Sequence, residues 1–225
     1  MTPGLYPRLP YDTINDFAPI ALIATAANVL VVGSNVPVAS YADFARLARE
    51  QPGRVSIASA GNGSLSHLSV ELLRLMAGLD LLHVPYKGAA PGVADLTGGQ
   101  VQAMIINILS VMPLVKAGKL KALAATSAKR PASLPEVLTL AESGVPGYET
   151  LTWFGLLAPA RTPNDIITAL HGEVQKALAR SEVRETLARL GSEASDLGPV
   201  GFQGFISSEI AKYGKIIKDA GIKAD

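Results

Sequence analysis

Apolar and polar positions alternate along the chain with periods of about 2 and about 3.6 residues, and this predicts strands interleaved with helices. The longest apolar stretch, Ala18–Val32, is broken by Thr25 and Asn28. It reads as one long buried strand or a strand pair, not as a membrane helix. Ser40 stands where a helix cap belongs, ahead of a helix over Tyr41–Gln51 with Phe44, Leu47 and Ala48 on one face. Pro52-Gly53 ends it. A strand over Arg54–Ala58 leads into a loop at Ser59–Ser64, and a helix follows over Leu65–Met76, closed by Gly78. The same rhythm predicts strands at Leu81–Val84, Val101–Ile106 and Leu120–Thr126, with helices at Pro91–Leu96 and Val111–Ala117. Pro131 to Pro146 is a loop with a short helix, Leu138–Glu142. Thr150–Leu157 is a strand carrying the only tryptophan, Trp153. Helices at Thr162–Ala179, Glu182–Leu190 and Val200–Ala220 finish the chain, with Pro163 well placed in the first turn of the first. Strands alternating with helices argue for parallel α/β units.

Composition narrows the classes. The chain has 225 residues, enough for one large domain or two small lobes. Net charge is +1, with lysines and arginines scattered among the acids and no basic stripe, which argues against nucleic acid and an anionic membrane surface. Cysteine is absent, which excludes disulfides, thiolate metal sites and cysteine nucleophiles. The start, Met1 to Pro10, has neither the basic nor the apolar region of a signal peptide and reads as a turn-rich loop. A domain rarely begins in this way, so the natural sequence is expected to extend further upstream.

The candidate chemistry lies in Ser59-Ala60-Gly61-Asn62-Gly63-Ser64-Leu65-Ser66-His67. A strand enters a loop with two glycines and a helix starts at once, so unpaired N–H groups and the positive end of the helix dipole face the loop. Glycine lets a ligand approach the backbone, and Ser64 and Ser66 offer hydroxyl donors. The absence of lysine suits a carboxylate better than a polyphosphate. The plainer alternative is an ordinary βα loop capped by Ser64. No Gly-Lys-Ser/Thr follows, and Ser66 stands where a dinucleotide fingerprint needs its third glycine. A second turn, Pro85-Tyr86-Lys87-Gly88, also follows a strand, and Tyr86 and Lys87 could face the same crevice. Asn107 is a ligand donor or a turn former. Trp153 is a core residue or the aromatic wall of a cleft.

Catalysis finds little support. His67, His83 and His171 are the only histidines, and no two have metal-ligand spacing. Ser64 is not in a Gly-x-Ser-x-Gly elbow. Glu71, Glu173, Glu182, Glu185 and Glu209 read as solvated helix faces. No metal and no cofactor are expected.

Several segments resemble a known family, in order along the whole chain. They are Leu9-Pro10-Tyr11-Asp12 with Asp16-Phe17-Ala18-Pro19, Asn28–Val32, Ser59–His67, His83-Val84-Pro85-Tyr86-Lys87-Gly88 and Gly98-Gly99-Gln100-Val101. Lys116–Leu120, Thr126–Arg130, Trp153–Pro159, Ala211–Lys215 and Ala220–Lys223 follow. The chain is similar to the substrate-binding proteins of tripartite tricarboxylate transporters, the Bug-type periplasmic receptors. The resemblance implies an α/β, two-lobed periplasmic-binding-protein-like fold (type II), with mostly parallel sheets flanked by helices. It also implies a periplasmic location, a small organic carboxylate as ligand and membrane transporter subunits as partners. One of the family's two gripping loops corresponds to Ser59–His67, and backbone amides with ordered water do the binding there.

Two departures matter. Family members carry further αβ units upstream of the Leu-Pro-Tyr-Asp segment, so the first lobe is expected to be incomplete, with exposed edges that favour homo-oligomer contacts. An Asp-Asn pair is frequent where this chain has Ile106-Asn107, which argues against an amino-acid ligand. The expected division is residues 1–35 and 150–225 for the first lobe and 36–149 for the second. The rival readings are a shortened, non-binding remnant forming a structural or swapped oligomer, and a hydrolase or nucleotide-dependent enzyme using the glycine-rich loop.

Overall fold

In a computed structural model the described residues are 2–6 and 8–223. The elements in chain order are α1 (Thr2–Leu5), β1 (Phe17–Gly33), α2 (Tyr41–Glu50), β2 (Ser56–Ser59), α3 (Leu65–Ala77), β3 (Leu82–Pro85), α4 (Ala89–Thr97), β4 (Ala103–Asn107), α5 (Ile108–Lys116), β5 (Leu120–Ala125), β6 (Leu151–Pro159), α6 (Asn164–Ala179), α7 (Ser181–Arg189), β7 (Ser192–Ala194) and α8 (Pro199–Asp219). They form two compact units, one of residues 1–26 and 153–221, the other of residues 27–152 with 222–225. β1 and β6 each run through the boundary, contributing one end to each unit.

In the unit of residues 27–152 the strands lie in the order β3-β2-β4-β1-β5. β2 pairs in parallel with β3 and with β4, as two consecutive βα crossovers require. β1 arrives from upstream through no such crossover, and it lies antiparallel between β4 and β5. The sheet is buried on both faces, and the strands show it. Leu30, Val32, Ile57, Ala103 and Ile105 belong to one apolar cluster, and Val29, Val31, Ala58, Met104 and Ile106 to the other. A period of two with apolar residues in both phases reads in sequence as a continuous apolar run. Fully burying each of these Val, Leu or Ile side chains contributes roughly 1.5–3 kcal/mol.

α2 starts at Ser40, whose Oγ accepts from Asp43 N at 3.2 Å and donates to the Asp43 carboxylate at 2.8 Å. The helix expected at Leu138–Glu142 is instead a set of turns. Thr139 bridges to Ala125 at the end of β5, and Leu140 N donates to Ala125 O, so this backbone is committed to the sheet. The short β7 and the one-turn α1 were not expected either; both are held by packing and pairing with distant segments rather than by local pattern.

The unit of residues 1–26 and 153–221 is built on the first part of β1, paired antiparallel with β7 from Ala24↔Ala194 to Ala26↔Ser192, and paired also with β6. Ile20, Ala21 and Ile167 form one small core, and Leu22, Phe202 and Ile206 another, backed by Trp153 and Phe205. Phe154, Ile166 and Leu170 remain exposed. Among the described residues β6 has β1 as its strand partner, and its other edge carries none.

Candidate functional site

In the unit of residues 27–152, β2, β3 and β4 point the same way, and each ends where a helix begins. β2 leads to α3 through the Ser59–Ser64 loop, β3 to α4 through Tyr86–Gly88, and β4 to α5 directly at Asn107. Three helix N-termini therefore lie along the carboxyl edge of three adjacent strands. The first N–H groups of each helix, among them those of Leu65 and Ser66 at α3 and of Ala89 and Ala90 at α4, have no acceptor within the helix. The helix dipoles add positive potential there.

The loops are bound to one another. Tyr86 N donates to Ser59 O and Gly88 N to Ala60 O. Gly61 has φ +126°, and a Cβ there would stand 3.0 Å from Tyr86 O, so both its conformation and the closeness of the second loop require glycine. Ser59 is fully buried; its Oγ accepts from Gly61 N at 3.2 Å. Ser64 caps α3, accepting from His67 N at 3.2 Å while its hydroxyl donates to Gly61 O at 2.7 Å. Ser66 Oγ donates to Ile105 O on β4 at 2.5 Å. Both hydroxyls, expected as ligand donors, are bonded to backbone carbonyls here. Their protons are used within the protein.

His67 is buried, and its Nδ1 accepts from Gly63 N at 3.1 Å. Its ring stacks on His83, with centroids 3.9 Å apart and planes inclined by 5°. His83 Nε2 lies 2.7 Å from Ser59 Oγ. Burial and the adjacent His67 ring push the His83 pKa down to about 4. Glu71, expected on a solvated face, is 7% exposed. Arg74 Nη1 donates to its two oxygens at 2.9 and 3.1 Å, and His67 Nε2 stands 3.6 Å away, at the long limit of such a contact. Burial would raise the Glu71 pKa, but these partners outweigh it and hold the carboxyl below its ordinary range. Glu209 is also buried, beside Lys212, whereas Glu173, Glu182 and Glu185 are exposed as their helix faces predicted.

The remaining candidates divide. Ala60 and Asn62 lie in the first loop. Tyr86 donates its hydroxyl to Asp95 at 2.8 Å and so is turned toward α4. Lys87 is exposed at the end of β3. Asn107 caps α5, its Oδ1 accepting from Leu109 N at 3.0 Å. Trp153 belongs to the other unit, edge-on to Phe202 and Phe205.

One group at this edge was missed. Asn28 on β1 pairs with Asn107 across the strands, is 4% exposed, and has a buried amide nitrogen with no hydrogen-bond partner. Its backbone is held by Thr126, whose Oγ lies 3.0 Å from Asn28 N. The signal was present, since Asn28 interrupts the apolar run, but it carried no position until the strands were paired. Among the described residues no group of His, Asp or Glu could hold a metal ion, and no helix is long and apolar enough to cross a membrane.

An α/β unit with mixed sheet and helix N-termini gathered at one edge, joined to a second unit through crossing strands, is the fold of the periplasmic solute-binding proteins. The chain belongs to the tripartite tricarboxylate transporter family receptors, whose sequence profile matches residues 1–222. A protein from the tcbD–tcbE intergenic region of Pseudomonas sp. (strain P51) is 40% identical over 221 residues, which cover 98% of this chain and 66% of that protein. Among solved structures, R. palustris Rpa4515 with adipate matches at a TM-score of 0.87 and 39% identity, covering 97% of this chain and 73% of that one. MatC (Rpa3494) from Rhodopseudomonas palustris, with bound malate, matches at a TM-score of 0.80 and 31% identity, covering 95% and 74%. The chain thus spans just under two thirds of the Pseudomonas relative. These relatives offer no support for a hydrolase or a nucleotide-dependent enzyme.

Proposed function

We propose that this protein is a periplasmic receptor that captures a small organic carboxylate for a tripartite tricarboxylate-type transporter, without making or breaking a covalent bond. The observation that carries this reading is the set of three helix N-termini at the ends of the parallel strands β2, β3 and β4. The amides of Leu65 and Ser66, with those of Ala89 and Ala90, are donors of the kind that hold a carboxylate oxygen, and the exposed Lys87 adds positive charge. Gly61 and Gly63 keep the loop free of side chains that would block approach. The adipate and malate in the two solved relatives are dicarboxylates, which supports the same ligand class here.

The test is isothermal titration of the full chain with adipate, malate and a panel of tricarboxylates and aromatic acids, paired with thermal unfolding. A ligand at about 100 times its dissociation constant adds roughly 2.7 kcal/mol of stability. Saturable binding of one acid, weakened by Ser64→Ala, is the expected result. The absence of heat and of any midpoint shift across the panel would overturn the proposal.

A further inference from the structure

His67 and His83 are both tied to the loop at the carboxyl edge of β2. His67 Nδ1 accepts from Gly63 N, and His83 Nε2 contacts the Ser59 Oγ that accepts from Gly61 N. The rings stack nearly parallel at 3.9 Å. An Nδ1 that accepts a backbone N–H carries no proton, so the His67 proton lies on Nε2, toward Glu71. Glu71 is in turn held by Arg74, which reaches Asp80 at 3.8 Å. The Gly63 amide is thus held directly by His67 of α3, and the Gly61 amide by the Ser59 hydroxyl that His83 of β3 contacts.

We infer that the stacked His67–His83 pair is a positioning device for the Ser59–Ser64 loop, setting the orientation of the amides that receive the ligand without itself touching it. The inference rests on the reading of this loop as the carboxylate site. The two histidines use different ring nitrogens, and this gives them different conservative replacements. The Oδ1 of asparagine reaches the place of a histidine Nδ1, and the amide end of glutamine reaches the place of Nε2. His67→Asn and His83→Gln therefore keep the contacts to the loop, whereas His67→Leu and His83→Leu fill similar space and lose them.

Two readouts separate the possibilities. The first needs no ligand: amide hydrogen exchange at Gly61 and Gly63 in the full chain, followed by NMR. His67→Leu should accelerate exchange at Gly63 by about tenfold or more and His83→Leu at Gly61, while His67→Asn and His83→Gln restore protection. The second is titration with adipate and with malate. The leucine variants should bind about tenfold more weakly, and the asparagine and glutamine variants should recover to within about threefold of the parent. Protection unchanged in the leucine variants, or equal losses in the leucine and conservative variants, would overturn the positioning role. If the parent chain binds neither acid while the exchange pattern holds, the carboxylate reading fails and the positioning of the loop stands.

Discussion

Gly155 on β6 offers a sharp test of the packing in the unit of residues 1–26 and 153–221. A Cβ at this position would stand 2.1 Å from Phe202 Cζ and 2.6 Å from Cε1. Carbon atoms in contact prefer about 3.5–4.0 Å, so the ring would have to retreat by roughly 1.5 Å. It has nowhere to go: Phe202 is fully buried, with Trp153 edge-on at 5.8 Å and Phe205 at 6.5 Å. Overpacking of this kind costs about 1–3 kcal/mol, and an overlap this large belongs at the upper end. Replacing a glycine within a strand returns about 0.5–1 kcal/mol through the unfolded chain. Gly155→Ala should therefore destabilise by about 2 kcal/mol, a drop of roughly 4–8 °C in Tm for a chain of this size. Phe202→Leu removes the outer ring atoms and opens the space, at about 1–2 kcal/mol on its own. The double variant should be more stable than the sum of the two singles by about 1 kcal/mol or more. Urea unfolding followed by fluorescence suits the question, because Trp153 is the only tryptophan and packs against the ring concerned. A Gly155→Ala protein as stable as the parent, or strict additivity in the double variant, would refute the reasoning.

Further outcomes follow from the buried polar groups. His83, with a pKa of about 4 against an ordinary 6.5, is protonated more readily in the unfolded chain than in the folded one. Its contribution to stability is complete above about pH 6.5 and declines as pH falls toward 4. Because the ring is partly exposed, the slope should stay well below the ~1.4 kcal/mol per pH unit of a fully buried group. His83→Gln should flatten this part of a Tm-against-pH curve, and an unchanged slope would refute the assignment. Thr126 is fully buried, and its Oγ serves Asn28 N at 3.0 Å and Thr150 O at 2.6 Å. Thr126→Val should cost about 2–3 kcal/mol in urea unfolding by stranding those groups, and Thr126→Ser should recover most of it.

Most of the local structure was legible in the sequence. Ser40 caps the helix it was expected to cap, and Ser64 caps α3 as the plainer reading of its loop had it, because a hydroxyl at that position satisfies N–H groups only a few residues away. The two-sided apolar run of β1 announced a strand buried on both faces. The glycine-rich loop stood out because its residue types are needed at that place whatever surrounds them. What failed locally was the helix expected at Leu138–Glu142, where pairing with Ala125 took the backbone elsewhere.

The site residues show where that legibility stopped. Ser64 and Ser66 were visible as serines at a helix start, but the direction of their hydroxyls depended on Gly61 O and on Ile105 O, the latter 39 residues away. Glu71 has the spacing of a surface residue and lies buried, because His67 and Arg74 on the same helix meet it there.

The sequence by itself determined the succession of strands and helices, their caps, and the loop with candidate chemistry, all of which depend on interactions within a few residues. Only the tertiary structure decided that β1 runs antiparallel between β4 and β5 and that Asn28 lies beside Asn107. It alone set His67 against His83 and put Trp153 in a different unit from the loop. Hydrophobic period fixes which face of an element is buried, but not which partner buries it. Pairing between distant segments is settled by the packing of the whole core, and no local pattern records it.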